Sequence, residues 1–199
     1  MWEERYSKTD GYLFGTEPSA FLRENPGWLG SGLRGLCVAD GEGRNSVYLA
    51  QMGVETVAFD ISKSAVSRAE KLAAKQGVSV TFKVSDWDDW DWDGATYDLV
   101  AAIFIQFAGP SERGKQFANI KQAVKPGGVL LLHGYRPEQL ELCTGGPPCA
   151  ENMYTDEILR KYFGNWQIER LASYESDVQE GRGHSGKSAL IDLIARKPG

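Results

Sequence analysis

An apolar run, Leu36-Cys37-Val38, leads into Ala39-Asp40-Gly41-Glu42-Gly43-Arg44-Asn45, and a second apolar run, Val54 to Phe59, ends on Asp60. Gly41 and Gly43 let the backbone approach a ligand closely, and a helix starting just after them offers unpaired N–H groups in its first turn. An acid at the tip of the next strand can accept hydrogen bonds from both hydroxyls of a ribose. The pattern describes a nucleoside-bearing ligand at the carboxyl ends of a parallel sheet. Capping of the following helix by Asp60 is the competing reading, because Ser62 and Ser64 crowd the same boundary. A dinucleotide fingerprint requires G-x-G-x-x-G, and counted from Gly41 the last place holds Ser46. A nicotinamide oxidoreductase is therefore disfavoured.

Further along, Asp86 and Trp87 follow a third apolar run, where an acceptor from Asp86 and an edge or backbone N–H from Trp87 can meet an adenine. The alternation of Trp87, Trp90 and Trp92 with Asp86, Asp88, Asp89, Asp91 and Asp93 also suits an exposed edge strand. Phe104-Ile105-Gln106-Phe107 follows a fourth run, and Gln106 is its one polar member, a donor and an acceptor among apolar neighbours. His133, beside Tyr135, and His184 are the two histidines. His133, Tyr135 and His184 are the available proton acceptors for an oxygen or nitrogen nucleophile, and each could equally be a satisfied or solvated side chain. The three cysteines, Cys37, Cys143 and Cys149, lack zinc-ligand spacing, so no metal site is expected. No catalytic residue is assigned from sequence.

The elements that must position these groups alternate as strand and helix, the signature of a parallel α/β sheet. Strands are expected at 36–39, 54–60, 78–84, 97–104 and 129–133. A helix at 62–76 carries the stripe Ala65, Val66, Ala69, Leu72 and Ala73 and stops at Gly77. A second, at 111–124, carries Phe117, Ile120 and Val124 and ends in the turn Lys125-Pro126-Gly127-Gly128. After a Gly/Pro-rich loop, a helix is expected at 155–162 and strands at 166–173 and 188–196, joined by a glycine-dense hairpin connection at 179–186. The 199 residues suit one domain, 1–199, with 1–30 as an N-terminal covering segment. A net charge of −5 argues against a nucleic-acid partner. No apolar run approaches a membrane span and the N-terminus has no signal-peptide character, so a cytoplasmic protein is expected, monomeric or a weak homodimer.

Seven strands with a terminal hairpin, the Ala39–Gly43 turn, Asp60, Ser85-Asp86-Trp87 and Lys125-Pro126-Gly127-Gly128 together resemble the class I S-adenosylmethionine (SAM)-dependent methyltransferases. The N-terminal Trp2-Glu3-Glu4-Arg5-Tyr6, the stretch Tyr12-Leu13-Phe14-Gly15-Thr16-Glu17-Pro18 and the late Glu180-Gly181-Arg182-Gly183-His184 look like its small tellurite-resistance and thiopurine-type branch. The resemblance implies a Rossmann-like, mostly parallel seven-stranded sheet with helices on both faces and SAM as cofactor. It implies cofactor contacts from Ala39, Asp40, Gly41, Gly43, Asp60, Ile61, Asp86, Trp87 and Phe104. It places Tyr12 and Phe14 of the covering segment against the sulfonium, where aromatic faces attract cations. Gln106, His133, Tyr135 and His184 are then candidates for contact with a small methyl acceptor, a soft thiol, selenium or tellurium nucleophile by the same resemblance. Cys37 stands where the family carries an acid, and Ala39 where it carries its first glycine. The extra methyl of Ala39 argues against a left-handed backbone there, and Asp40 is the nearest acid that could compensate. A non-catalytic SAM-binding or partner-binding protein is the alternative these departures leave open.

Overall fold

Arg34–Val38 (β1), Glu55–Asp60 (β2), Val80–Val84 (β3), Tyr97–Ile103 (β4), Val124–Tyr135 (β5), Gln167–Glu180 (β6) and His184–Arg196 (β7) form a seven-stranded sheet in the order β3-β2-β1-β4-β5-β7-β6. The helices are Trp2–Ser7 (α1), Ala20–Glu24 (α2), Arg44–Gln51 (α3), Lys63–Gln76 (α4), Pro110–Ala123 (α5), Gln139–Leu142 (α6) and Asp156–Phe163 (α7). The computed structural model describes every residue except Arg182, and of His184 the backbone alone. The sheet is mostly parallel and closes on an antiparallel hairpin, the Rossmann-like arrangement expected from sequence. Two compact units divide the chain: residues 1–91 with 180–183, and residues 92–179 with 184–199.

In the first unit, β1 and β2 pair in parallel from Arg34↔Glu55 to Val38↔Phe59, and β2 pairs with β3 from Thr56↔Val80 to Asp60↔Val84. The apolar stripe of α4 is buried at every expected position. Ser62 caps its start by accepting from the Ala65 N–H, and Gly77 ends it in the left-handed conformation (φ +68°). Val47 of α3 packs with Leu72 and Ala73 of α4, and Tyr12, Val78 and Phe82 lie against this cluster.

In the second unit, β4 is buried along almost its whole length and pairs with β5 in parallel, while β7 runs antiparallel to β5 with His133 opposite Asp192. Pro110 opens α5, whose buried Phe117 meets the rings of Tyr154, Tyr162 and Phe163 at 5.5, 5.1 and 5.1 Å. Two expectations change. Residues 125–128 belong to β5 rather than to a free-standing turn, because the Gly127 N–H donates to the Lys197 carbonyl and the Lys197 N–H to the Gly128 carbonyl. Val124 accordingly starts the strand instead of ending the helix. The hairpin connection is also shorter than composition implied, since β6 reaches Glu180 and β7 begins at His184. Among the described residues, no helix is long and apolar enough to cross a membrane.

Candidate cofactor site

The first unit joins the glycine turn to the acid at the tip of β2. Gly41 (φ +63°) points its N–H at Asp60, donating to Oδ2 at 2.9 Å, and the Ser62 N–H donates to Oδ1 at 2.9 Å. Asp60 therefore orients the turn and also assists the start of α4. It is 6% exposed, and burial raises its carboxyl pKa against the lowering effect of those two N–H groups. Each carboxylate oxygen keeps one further lone pair for a diol.

Ala39 corrects an expectation: its φ is +49°, inside the left-handed region. The cost, about 1–3 kcal/mol for a non-glycine residue, is offset by what the bend brings together. The Asp40 N–H donates to the Phe59 carbonyl at 3.0 Å, and the Asp40 carboxylate accepts from the Ser46 hydroxyl at 2.5 Å and from the Ser46 N–H at 3.3 Å. Asp40 thus holds the first turn of α3. Desolvation pushes its carboxyl up to about 7, and the nearby Asp60 charge adds to the rise, while the Ser46 bonds and Arg44 oppose it. The family acid's position is filled by Cys37, buried and with its thiol pKa pushed well up by desolvation and then by Asp40.

The two glycines are required for different reasons. A Cβ on Gly41 would sit 2.7 Å from the Tyr6 hydroxyl, and one on Gly43 (φ +87°) would sit 2.6 Å from the Ala69 Cβ of α4. Tyr6 is buried beside this turn, and its hydroxyl pKa is raised by that burial and then by Asp60, Glu42 and Asp40.

Sequence reasoning missed the groups that fasten the N-terminal segment. Glu42, 3% exposed, accepts from the N–H groups of Leu13 (2.7 Å) and Phe14 (3.4 Å) and pairs with Arg68 at 2.7 Å. Arg44 and Glu180 form a buried ion pair at 2.7 Å, and Glu180 also accepts from the Ala20 N–H. Asn45 accepts from the Ser19 N–H, and Glu3 binds the hydroxyls of Ser62 and Ser64. Gly181 and Gly183 lie so close to Phe14 that a Cβ on either would overlap it. The only available signal was a run of polar residues, Arg44-Asn45-Ser46, at a helix start that turns out to be buried.

The remaining candidates fall into place separately. Phe14 stands with Trp2 and Tyr6, whereas Tyr12 packs on α3 and α4 and donates to the Arg68 carbonyl. Ile61 is 51% exposed beside Asp60. Asp86 is exposed and accepts from the Asp88 N–H, while Trp87 and Trp90 lie on Phe59 with centroids at 6.0 and 4.3 Å. Residues 86–93 form turns rather than an alternating edge strand.

In the second unit Phe104 is left-handed (φ +56°), its N–H bonded to the His133 carbonyl and its ring 4.8 Å from His133 and 4.7 Å from Tyr135. The Gln106 amide is spent on backbone: its Nε2 donates to the Tyr135 carbonyl at 2.7 Å and its Oε1 accepts from the Tyr135 N–H at 2.6 Å. His133 Nδ1 lies 2.7 Å from Asp192, which also accepts from Arg170 and Tyr174. A carboxylate paired with Arg170 is an acceptor, so Nδ1 carries the proton. Arg182, and the side chain of His184, lie outside the described residues.

A strand, a glycine turn, a helix start and an acid on the second strand are thus brought together, on a sheet ending in a reversed hairpin. Residues 36–128 match the family described as a methyltransferase domain. The chain is 25% identical over 173 residues to hemagglutinin 1 of Eikenella corrodens, covering 80% of this chain and 53% of that one. It is 19% identical to the probable SAM-dependent methyltransferase TehB of Haemophilus influenzae, covering 79% of this chain and 54% of TehB. The TehB crystal structure superposes with a TM-score of 0.73 at 16% identity, over 98% of this chain and 67% of that one. A structure from work on conversion of a disulfide bond into a thioacetal group in echinomycin biosynthesis gives 0.74 at 19% identity, over 97% and 87%. The chain spans about half the length of the curated relatives it matches. It shares the fold of these solved structures, and residues 36–128 carry the match to a methyltransferase domain. Asp60 keeps a lone pair on each oxygen to which a ligand diol could donate, and Ile61 beside it is exposed.

Proposed function

We propose that this protein transfers the methyl group of SAM to a small-molecule acceptor. The observation that carries the reading is the 2.9 Å bond from the Gly41 N–H to Asp60, which fixes a glycine turn and a ribose acid as one rigid corner. Asp60 binds the ribose diol, Asp86 and Trp87 meet the adenine, and Ala39 to Gly43 line the approach. Ile61, Phe14, Tyr12 and Phe104 are further proposed contacts, Tyr12 the weakest because it packs on α3 and α4. When bound, SAM supplies a methyl carbon that the acceptor's lone pair attacks as the carbon–sulfur bond breaks and its electrons return to sulfur. The chain's own contribution is positioning and exclusion of water.

A soft acceptor, a thiol or a selenium or tellurium anion, is favoured by the branch resemblance. The apolar cluster of Tyr135, Met153, Val178 and Leu190, with Phe104 and Tyr174 against it, also suits such a group. Residues 1–199 act as one domain in this reading, and no nucleic acid is a partner of so acidic a chain.

Calorimetry with SAM, S-adenosylhomocysteine and NAD tests the cofactor. SAM and S-adenosylhomocysteine should bind and NAD should not, and Asp60→Ala should weaken SAM by about 1.5–3 kcal/mol. Undiminished SAM affinity in a folded Asp60→Ala protein removes Asp60 from the site. Labelled-methyl transfer to thiols but not to alcohols or amines supports the soft acceptor, and binding without transfer to any acceptor favours a non-catalytic role.

A further inference from the structure

The outer side of α4 and the end of α1 enclose a shallow groove of about 360 Å³ lined by Ser7, Lys63, Ser64, Ser67, Arg68 and Lys71. The lining holds three cations and three hydroxyls and no carboxylate. Lys63, Ser67 and Lys71 recur every four residues, so they share one face of the helix. Of the neighbouring acids, Glu3 is engaged by Ser62 and Ser64, Glu4 by Lys8, and Glu42 by Arg68, while Glu70 is an exposed acid of α4. Arg68 has little left to give, since its other nitrogen donates to the Thr9 carbonyl. Lys63 and Lys71 have no carboxylate partner among the described residues, and the Ser67 hydroxyl makes no hydrogen bond among them. The helix start is already capped by Ser62 and Glu3, so the attraction comes from side-chain charge rather than from open backbone N–H groups.

We propose that this groove binds a compact polyanion of phosphate or diphosphate chemistry carried on a free small molecule. Lys63 and Lys71 start about 12 Å apart along the helix axis, and their long flexible side chains can converge on two adjacent phosphoryl groups from either end. Ser67 lies between them on the same helix face. Lysine ammonium groups bind phosphate as point charges with three donors each. On a chain of net charge −5, Lys63 and Lys71, without a carboxylate partner among the described residues, are where an anion would be drawn. The proposal stands independently of the SAM assignment.

The test is titration of the full chain with inorganic pyrophosphate, followed by calorimetry at constant ionic strength, with sodium chloride as the matched control. Saturable binding is expected, weakened at least tenfold in Lys63→Ala/Lys71→Ala and unchanged in Lys75→Ala, which alters an exposed lysine of the same helix outside the groove. Far-ultraviolet circular dichroism and the urea midpoint should be the same in all three proteins, which reports that each is folded. Absence of saturable binding overturns the proposal. So does equal weakening by Lys75→Ala, which would make the effect one of general charge, and so does full binding by the double variant.

Discussion

At the scale of single residues, the glycine turn takes a left-handed bend at Ala39 that its side chain argues against. Cys37 leaves the end of β1 without a carboxylate, and Asp40 supplies one three positions on, tied to Ser46 at the start of α3. The folded chain holds the Asp40 proton more tightly than the unfolded chain, since its pKa moves from 3.8 up to about 7. Asp40 therefore contributes most at low pH, and its contribution falls as pH rises from about 4 to about 7, then stays level. Asp60 is shifted in the same direction. Urea unfolding at pH 5 and pH 8 should show the wild type losing about 1–3 kcal/mol more than Asp40→Asn over that interval. An identical pH response in the two proteins would mean that Asp40 is ionised throughout. The corner of Gly41 and Asp60 was readable in the sequence because glycine and a strand-end acid have few other uses at that spacing. The backbone of Ala39 was not, since its left-handed conformation is fixed by Phe59 and Ser46 rather than by its own side chain. Gln106 was singled out correctly as unusual, yet its polarity serves the backbone of Tyr135.

At the scale of elements, apolar runs located β1, β2 and β4, which are buried along nearly their whole length, and helical periodicity located α4 and α5, which each bury one stripe. It failed where pairing comes from distant residues: Pro126-Gly127-Gly128 looks like a turn until Lys197 supplies the hydrogen bonds that carry β5 through it. What fastens the N-terminal segment is not legible in the sequence. Glu42 lies inside the glycine motif and is used to hold Leu13 and Phe14, so the motif anchors the segment as well as shaping the turn. Glu42→Ala should cost about 2–4 kcal/mol, because the Leu13 N–H and the Arg68 guanidinium lose a buried acceptor. Limited proteolysis should then cut within residues 5–15 well before the remainder of the chain. Cleavage no faster than in the wild type would show that Tyr6, Phe14 and the hairpin glycines hold the segment without Glu42.

At the scale of the whole molecule, the fold is shared by proteins of 16–19% identity, so the sheet alone says little about the acceptor. What distinguishes this chain is how far apart in sequence its fastening residues lie. Arg44 meets Glu180, and Glu180 meets the Ala20 N–H, contacts that close loops of most of the polypeptide. Such non-local closures form late in folding. Pulsed hydrogen exchange during refolding should find the amides of Ser19 and Ala20 protected after those of β1 and β2, and simultaneous protection would contradict that order. During synthesis the consequence is sharper. A ribosome adds roughly 5–20 residues per second, so the Arg44 guanidinium waits on the order of ten seconds for its carboxylate to be translated. Until Glu180 emerges, the nascent chain has a glycine turn but no completed clasp over it, and a message truncated before that codon would encode a protein whose first half never locks.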